Sequence, residues 1–310
     1  MVLNYKKSVI VVTGPTGIGK TGLSIDLARE FDCPIISADS RQIFKELKIG
    51  TAAPTNEELR KATHYLIGTH SIFDYYSAYK YEQEALALVD KLFEANDVVI
   101  LTGGSMMYID AFCNGIDELP TIDPELRDNL QEAFRKEGLE NIRRQLKLLD
   151  PVFYNQLDLK NPKRIIHALE ICLMTGRPYS ALRTNTKKIR PFHIVKIGLD
   201  MDRSLLHQRI NQRVDQMMQD GLENEARGLY AHRTLNSLNT VGYREFFDFF
   251  DNIINREKAI ELVKRNSRRY ARKQLSWFRR DEEITWFSPQ NTEEVITFVQ
   301  RKIKRTGAHN

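Results

Sequence analysis

The residues with the clearest chemical potential stand near the start of the sequence, in the segment from Gly14 to Thr21. This segment matches the pattern G-x-x-x-x-G-K-[ST], which forms a phosphate-binding loop when a strand precedes it and a helix follows. Small residues let backbone N–H groups approach phosphate oxygens, and the helix N-terminus adds partial positive charge. Lys20 supplies a full charge, and the hydroxyl of Thr21 can coordinate Mg²⁺. The motif therefore predicts a polyphosphate site, with Thr21 as the metal ligand, formed by Gly14, Pro15, Thr16, Gly17, Ile18, Gly19, Lys20 and Thr21.

A second reactive candidate is Asp39, which follows the apolar run Pro34–Ala38. In a parallel sheet, ligands bind outside the carboxyl ends of the strands, so we expect Asp39 to face the same crevice as Lys20. A carboxylate placed there could serve as a general base, or it could cap the first turn of a helix. The segment Gly103-Gly104-Ser105 ends a third apolar run and is expected to form another wall of this crevice.

The elements that must position these residues alternate between strands and helices. Short, continuous apolar runs are typical of strands buried on both faces, and stretches with apolar residues at helical spacing lie between them. This alternation predicts an α/β fold in which helices cover a parallel sheet. The predicted strands are Ser8–Thr13, Pro34–Ala38, Asp97–Thr102 and His193–Leu199, and the predicted helices are Lys20–Phe31 and Tyr81–Ala95.

The middle of the chain has a different pattern from its first hundred residues. From about Ser105 to Arg190 the sequence shows helical periodicity and few strand signals. We therefore predict three parts: residues 1–116 as the first part of an α/β core, 117–190 as a helical insertion, and 191–310 as the completion of the core and a helical C-terminal region. Within the insertion, prolines mark expected helix starts or breaks at Pro120, Pro124, Pro151 and Pro162.

Composition limits the partners and the location of this protein. The 310 residues carry a formal net charge of +5, which permits a nucleic-acid partner without requiring one. A basic run from Lys264 to Arg280 could contact RNA, or it could be a solvated helix face. No apolar stretch approaches the roughly 18 residues of a membrane span, and the run Val9–Val12 is shorter than a signal-peptide core of about 7–15 residues. We therefore expect a cytoplasmic protein without a membrane partner.

Several further blocks follow the phosphate loop along nearly the whole chain: 36–42, 49–52, 103–108, 161–170 before Thr175-Gly176, 209–217, 240–244 and 272–279. No single block is diagnostic, but their order and spacing together are specific. Together they resemble the tRNA dimethylallyltransferase (isopentenyltransferase) family. The resemblance implies a P-loop NTPase-like parallel sheet core with a helical insertion domain and a helical C-terminal region.

The resemblance also implies an activity. Members of this family transfer a dimethylallyl group from dimethylallyl diphosphate to the exocyclic N6 of the adenosine 3′-adjacent to the anticodon in tRNA. The phosphate loop, with Mg²⁺ as cofactor, then holds the diphosphate of the donor and does not serve phosphoryl transfer from ATP. The insertion and the C-terminal region are expected to contact the anticodon stem-loop, and a monomer is expected.

Residue roles follow from the resemblance, position by position. Asp39 is the expected general base, because the N6 lone pair of adenine is delocalised and the amine must lose its proton during attack. Thr21 and Arg213 are expected to stabilise the charge that grows on the diphosphate. Without the resemblance, Arg213 would be assigned as an exposed helical arginine. The expected tRNA contacts are Asp39, Ser40, Arg41, Gln42, Ser105, Arg127, Lys163, Arg164, Ile165, Ile166, His167, Gly242, Tyr243, Arg244, Arg268 and Arg272.

Two of these positions depart from the family pattern. Ser105 stands where many members have threonine, and either hydroxyl can form a hydrogen bond with the adenine or the donor. His167 stands where arginine is commoner. Because a neutral imidazole attracts phosphate less than a guanidinium does, the role of His167 is left open.

Three other activities share parts of this pattern. An adenylate isopentenyltransferase would prenylate free AMP or ATP and would not need an RNA-contacting insertion. A P-loop kinase of small metabolites would share the phosphate loop and the strand-end acid, but it would not need the basic helix. A regulatory P-loop NTPase would need an apolar strand that ends in aspartate, whereas the run Val98–Leu101 is followed by Thr102-Gly103.

Overall fold

A six-stranded parallel β-sheet organises most of the chain. In this computed structural model, residues 7–184 and 186–307 are described. The strands are β1 (Ser8–Thr13), β2 (Ile35–Ser37), β3 (His64–Tyr65), β4 (Val98–Thr102), β5 (His193–Leu199) and β6 (Thr285–Phe287). Their order across the sheet is β3-β2-β4-β1-β5-β6, and each neighbouring pair is parallel. The predicted α/β class with a parallel sheet is confirmed.

The register of the sheet brings the carboxyl ends of three strands side by side. Val12 of β1 pairs with Thr102 of β4, and Ser37 of β2 pairs with the same Thr102. Every residue of β1 is buried, because β4 and β5 flank it and apolar clusters cover both faces of the sheet. The loops that leave β1, β2 and β4 therefore begin at one edge of the sheet.

The described residues form two compact units, one comprising the chain up to Cys113 and from Ile189 onward, the other Asn114–Lys188. Two short 3₁₀ helices lie at Tyr230–His232 and Asn236–Leu238. Among the described residues, no helix is both long enough and apolar enough to cross a membrane. The α-helices are α1 (Lys20–Glu30), α2 (Asn56–Lys61), α3 (Ala78–Leu92), α4 (Met106–Asn114), α5 (Pro124–Leu149), α6 (Pro151–Gln156), α7 (Pro162–Thr175), α8 (Tyr179–Leu182), α9 (Arg203–Gln219), α10 (Leu222–Leu229), α11 (Arg244–Phe250), α12 (Arg256–Phe278) and α13 (Thr292–Gly307).

Apolar layers cover the two faces of the sheet. On one face, Leu27 of α1 and Val299 of α13 belong to a buried cluster that includes alternate residues of β1 and β5. On the other face, Tyr81 of α3 and Phe112 of α4 join the remaining residues of β1 and β4. This alternation follows from the period of two along a strand. The sheet is thereby held rigidly beneath the loops at its carboxyl edge.

A third apolar cluster joins the segment after β2 to the C-terminal helices. Phe44 and Leu47 pack in it with Leu222 of α10, with Tyr243 just before α11, and with Phe246 of α11. Residues that lie far apart in the sequence are therefore neighbours at the carboxyl edge of the sheet.

The second unit, Asn114–Lys188, is helical and contains α5 to α8. Three of the four prolines expected at helix starts or breaks occupy the first turn of a helix, namely Pro124, Pro151 and Pro162, and a preceding Asp or Asn side chain caps each helix. Pro120 starts no helix and lies in the break between α4 and α5. The unit begins and ends a few residues earlier than the insertion predicted over 117–190. Its core contains Leu130, Ile142, Leu146, Phe153, Ile165, Ala168 and Leu169.

Short elements and helix ends were the least accurate predictions. The strands β3 and β6 were not predicted, because they are short, half-buried strands at the two edges of the sheet and lack the continuous apolar run that marks the equally short β2. Helix α3 begins at Ala78 and not near Tyr81, since the side chain of Ser77 caps it by accepting from the N–H of Lys80.

Candidate active site at the carboxyl edge of the sheet

The phosphate loop connects β1 to α1, as the motif predicts. Gly19 is the N-cap of α1 and has φ 107, a left-handed conformation that side chains other than glycine rarely adopt. Gly14 lies against β5, where a Cβ would come within 2.9 Å of the carbonyl O of Leu199. Because Lys20 is the first residue of α1, the N–H groups of the loop lie at the positive end of a helix.

The side chain of Lys20 folds back over this loop. Its Nζ donates to the carbonyl O atoms of Gly14 (3.0 Å) and Pro15 (2.9 Å). Burial and the nearby guanidinium of Arg213 lower the pKa of Lys20 to about 7, and Asp39 opposes this shift. An anion placed beside these two cations would stabilise the charged form of Lys20. The local electrostatics therefore favour an anionic ligand.

A cavity of about 1160 Å³ opens at this edge of the sheet. The phosphate-loop residues Thr16 to Thr21 line it together with Asp39, so the anion site and the carboxylate share one space. Most residues of the segment 48–54, which we call the 48–54 loop, form part of its wall, as do Gly103 and Gly104. The C-terminal helices and the segment after β6 contribute Arg209, Arg213, Gln216, Met217, Tyr270, Gln274 and Pro289.

Asp39 both caps a turn and lines the cavity. Its Oδ1 accepts from the backbone N–H groups of Arg41 (2.8 Å) and Gln42 (3.2 Å). Its Oδ2 accepts no hydrogen bond from any residue that the structure describes. No helix begins at Asp39, so the helix cap considered from the sequence is not observed, and Oδ1 caps a turn instead. The other oxygen is available to accept a proton from a ligand.

Aromatic and cationic groups surround the turn at Asp39. Arg41 donates from NH1 to the carbonyl O of Ser237 (3.0 Å), and burial lowers its pKa. Burial and the carboxylate of Asp39 raise the pKa of Tyr270, which lines the cavity, to about 12. The ring of Tyr108 interacts electrostatically with both Arg41 and Asp39 and stays protonated, because burial raises its pKa. These groups form a polar and aromatic environment that can accommodate a purine.

The carbonyl O of Ala52 accepts hydrogen bonds from two side chains that line the cavity. Arg213 of α9 donates from NH2 to this oxygen (3.3 Å) and from NH1 to Oγ1 of Thr16 (3.0 Å). Gln42 donates from Nε2 to the same Ala52 oxygen and to the carbonyl O of Thr51, both at 3.1 Å. Burial lowers the pKa of Arg213, and Asp39 opposes this shift. Arg213 thus lies beside the phosphate loop, where the sequence-based assignment requires it.

Two polar residues that hold the walls of the cavity were not identified from the sequence, the half-buried Glu225 and the buried Gln274. Glu225 of α10 accepts hydrogen bonds from the N–H groups at the start of the 48–54 loop and from the hydroxyl of Tyr243. Gln274 of α12 accepts from the N–H of Thr16 (2.9 Å) and donates from Nε2 to the carbonyl O of Gly104 (2.7 Å). An isolated Glu or Gln in a helical pattern gives no sequence signal of this kind, because its partners are backbone groups elsewhere in the chain.

The expected tRNA contacts in and around the block 240–244 differ in their exposure to solvent. Arg244 is exposed, but Gly242 and Tyr243 are buried, and Tyr243 belongs to the third apolar cluster. The expected RNA contact through the side chain of Tyr243 is therefore corrected, because RNA cannot reach a fully buried ring. Ser105 is also buried, next to the cavity-lining pair Gly103-Gly104, while Ser40 is half-buried beside Asp39.

The basic helix α12 presents cations to solvent on one face and packs on the other. Arg272 is exposed, whereas Arg268 is half-buried and donates from NH1 to Oδ1 of Asn211 (2.5 Å). Gln274 and Phe278 are buried on the packed face. The helix is therefore more than a solvated face, because its inner side contributes to the cavity and to the core.

In the helical unit, the predicted RNA segment also divides by exposure. Lys163 and Arg164 are exposed in the first turn of α7, whereas Ile165 and Ile166 are buried in the core of the unit. The expected RNA contacts through the side chains of these two isoleucines are corrected for the same reason as that of Tyr243. The two cations can therefore contact RNA, whereas the two isoleucines fix α7 in the core of the unit.

The guanidinium of Arg127 is already paired within the helical unit. It donates to both carboxylate oxygens of the buried Glu170, at 2.6 and 2.8 Å. His167 Nδ1 lies 3.5 Å from the same carboxylate. The charge that Arg127 could offer to a phosphate is partly neutralised, so we expect it to contribute less than the exposed pair Lys163 and Arg164.

The oxygen ligands that line the cavity fit a metal ion that binds together with a phosphate ligand. The side chains of Thr21 and Asp39 line the same space. Within the described residues, no group of three or more His, Cys, Asp or Glu side chains is arranged to hold a metal by itself. Mg²⁺ usually keeps several waters and binds through one or two protein oxygens together with substrate phosphates. These residues therefore fit the predicted Mg²⁺ as part of a metal–diphosphate complex.

Comparison with known proteins places this chain in a family. Residues 42–281 match the family described as IPP transferase. The chain is 57% identical to tRNA dimethylallyltransferase 1 of Bacteroides fragilis, over 96% of this chain and 99% of the relative. It is 55% identical to tRNA dimethylallyltransferase 2 of Parabacteroides distasonis, again over 96% of this chain and 99% of the relative. The crystal structure of the full-length tRNA isopentenylpyrophosphate transferase from Bacillus halodurans superimposes with a TM-score of 0.71 and 33% identity, over 97% of this chain and 98% of that chain.

These similarities extend over nearly the full length of the chain, as the resemblance in the sequence does. The fold is accordingly the P-loop NTPase-like fold of the tRNA isopentenyltransferases. This chain belongs to the IPP transferase family.

Proposed function

We propose that this protein is a tRNA dimethylallyltransferase. It transfers the dimethylallyl group of dimethylallyl diphosphate to N6 of the adenosine 3′-adjacent to the anticodon. The observation that carries this proposal is a single cavity in which the phosphate loop faces Asp39, whose Oδ2 accepts no hydrogen bond from a described residue. Relatives with this name, at 55–57% identity, support the same activity.

The donor would bind with its diphosphate on the phosphate loop. The N–H groups of the loop, Lys20 and Arg213 would hold the diphosphate oxygens, and the 48–54 loop would cover the five-carbon group. The apolar lining near this loop suits an isoprenoid, since it includes the side chains of Phe44, Leu47, Ile49, Ala52, Ala53, Pro54 and Met217.

The transfer replaces a carbon–oxygen bond with a carbon–nitrogen bond. The bond between the allylic carbon and the diphosphate breaks, and its electron pair leaves with the diphosphate. N6 forms the new bond to carbon, and Asp39 takes the N6 proton through its available oxygen. Lys20 and Arg213 stabilise the charge that grows on the leaving group, because they are fixed in place before the reaction.

Mg²⁺ is proposed as the cofactor, held by the hydroxyl of Thr21 and the diphosphate oxygens. When bound, it would neutralise part of the diphosphate charge and make the diphosphate a better leaving group. The protein itself orients the donor through the phosphate loop.

The RNA contacts are proposed at exposed cations of each unit. In the helical unit these are Lys163 and Arg164, and in the first unit they are Arg244 and Arg272, with Arg268 partly accessible. The adenosine must leave its stack in the anticodon loop to reach Asp39, which costs a few kcal/mol. Phosphate contacts would offset part of this cost. We further propose that the protein is a cytoplasmic monomer, which light scattering and cell fractionation can test.

The decisive experiment offers the enzyme two acceptors separately. Dimethylallyl diphosphate and Mg²⁺ are incubated with tRNA in one reaction and with AMP in another, and nucleosides are analysed by mass spectrometry. We expect dimethylallyladenosine from tRNA and no prenylated AMP. The reverse result would indicate an adenylate isopentenyltransferase, and release of ADP from ATP alone would indicate a kinase or an NTPase switch.

A further inference from the structure

The carboxylate of Glu225 accepts hydrogen bonds from every backbone N–H group of residues 48–50, at the start of the 48–54 loop. Its Oε2 accepts from the N–H groups of Lys48 (3.1 Å) and Ile49 (2.8 Å), and its Oε1 accepts from the N–H of Gly50 (2.9 Å) and the hydroxyl of Tyr243 (2.6 Å). Three successive backbone donors thus converge on one carboxylate. Such an arrangement holds a loop in one conformation, because any rotation of its backbone breaks several charge-assisted hydrogen bonds.

Tyr243 supports the same loop through its ring. The side chain of Tyr243 is fully buried, and a Cβ placed on Gly50 would lie 2.6 Å from its Cζ atom. Glycine at position 50 is therefore required by close packing. The hydroxyl of Tyr243 stays protonated, because burial and the carboxylate of Glu225 raise its pKa. Tyr243 and Glu225 act on the loop as one unit, which we call the loop anchor.

The loop anchor lies outside the cavity, but what it holds lies inside. Ile49, Thr51 and Ala52 line the cavity. The carbonyl O of Ala52 accepts from Arg213 NH2 and from Gln42 Nε2. Ala52 has φ 45, a conformation that costs energy for any residue other than glycine and persists only when its surroundings impose it.

These contacts form a continuous chain from α10 to the phosphate loop. Glu225 and Tyr243 fix residues 48–50, the loop carries that position to Ala52, and Ala52 orients Arg213 toward Thr16. A guanidinium that stabilises a leaving group must be held to within a fraction of an ångström. The anchor therefore acts on the reaction through Arg213.

We propose that Glu225 and Tyr243 are positioning residues that set the 48–54 loop and Arg213 for the donor diphosphate, a role that rests on the proposed function. Tyr243 thereby contributes to the donor side of the site and not to RNA contact. The same short segment still exposes Arg244 to solvent, so one turn serves the two substrates separately.

The test compares glutamates of the same helix. Glu225→Gln removes the carboxylate, and Glu223→Gln is the matched control, because Glu223 is two residues away and pairs only with the exposed Arg227 and Arg256 among the described residues. Binding of inorganic diphosphate with Mg²⁺ is measured by calorimetry, and tRNA binding by filter retention. We expect Glu225→Gln to weaken diphosphate binding about tenfold and to leave tRNA affinity unchanged. The control should match the wild type in both.

A second variant keeps the test valid if Glu225→Gln does not fold. Tyr243→Phe removes one hydroxyl, leaves the ring on Gly50, and is expected to weaken diphosphate binding about threefold. In a background with Arg213→Gln, the anchor substitutions should have little further effect, since they act through Arg213. Additive effects in that background, or lost tRNA affinity with intact diphosphate binding, would overturn the proposal. Diphosphate binding does not require prenyl transfer, so these results stand apart from the proposed function.

Discussion

The two sides of the cavity are built in different ways. On the phosphate-loop side, eight consecutive residues supply backbone donors, a lysine and a hydroxyl between one strand and one helix. On the opposite side, the 48–54 loop, Arg213 and Gln274 come from distant segments and are joined by hydrogen bonds between side chains and backbone groups. The first side is a local structure that a short motif encodes. The second exists only when α9, α10 and α12 pack beside the sheet.

The two sides of the cavity therefore have different roles in binding and in the reaction. The local side binds a diphosphate that many P-loop proteins could bind, because its donors are backbone N–H groups and the lysine of the motif. The assembled side decides which reaction follows, since it places Arg213 and carries the apolar wall for the isoprenoid. Substitutions on the first side should therefore affect donor affinity most, and those on the second side should affect turnover as well.

The largest effect is expected at Asp39, which lies between the two sides. Asp39→Ala should lower transfer about 10²–10⁴-fold, because the N6 proton loses its acceptor. Asp39→Asn is the matched control, since an amide oxygen can keep the hydrogen bonds from Arg41 and Gln42 without acting as a base. Single-turnover rates should be low for both variants, with tRNA affinity close to normal. A near-normal rate for Asp39→Asn would leave Asp39 with a capping role alone.

Lys20 tests the local side. Lys20→Ala should weaken binding of dimethylallyl diphosphate about 10–100-fold, because a charge-assisted contact to phosphate is lost. Calorimetry with the donor and Mg²⁺ measures this directly, and tRNA binding serves as the control. If donor affinity stayed unchanged, the phosphate loop would not be the diphosphate site.

Gln274 tests the assembled side at its contact with the local one. Gln274→Met keeps the length of the side chain but leaves the N–H of Thr16 and the carbonyl O of Gly104 unpaired, at a cost of about 1–3 kcal/mol for each group. We expect kcat to fall about tenfold, since the phosphate loop and the glycine pair lose their alignment. Gln300→Met is the control, because Gln300 is a half-buried glutamine of α13 whose side chain donates to Glu30 and not to the cavity loops. A change in KM for tRNA alone would show that Gln274 contacts RNA and does not align the loops.

The pH dependence of donor binding tests how much the positive charge of Lys20 contributes to diphosphate binding. The pKa of Lys20 without ligand is lowered to about 7, so the amine is mostly neutral at higher pH. Bound diphosphate stabilises the cation, and binding at about pH 8 should therefore take up about one proton and weaken as pH rises further. Lys20→Arg keeps its charge throughout and should lack this uptake. Calorimetry in two buffers with different ionisation enthalpies measures the difference, and equal uptake by both proteins would contradict the assignment.

The smallest effect is expected at the outer face of α12. Replacing Arg268 and Arg272 by alanine should lower the slope of log affinity for tRNA against log salt by about one, for the loss of one or two phosphate contacts. Because Arg268 is engaged with Asn211, most of the change should come from Arg272. Arg301→Ala, an exposed cation of α13, is the control. An unchanged slope would mean that this face of α12 does not bind RNA.

Much of the fold follows from local patterns. The strands β1, β2, β4 and β5 and the starts of α5, α6 and α7 were predicted, because continuous apolar runs and Pro after a capping residue are local signals. The strands β3 and β6 were not, since their pairing with neighbours and not their own pattern defines them. The buried positions of Tyr243, Ile165 and Ile166 also required the structure, because a motif does not tell which of its residues face inward.

The sequence by itself determined the phosphate loop, its place between a strand and a helix, and the position of Asp39 at a strand end. These follow from residue types and short-range geometry, since glycines, a helix N-terminus and the direction of a parallel strand act over a few residues. Only the tertiary structure decided how the opposite wall is held, through Glu225, Tyr243 and Gln274. Their partners are backbone N–H and C=O groups, which every residue carries, so that no residue type in the sequence marks where such a hydrogen bond will form.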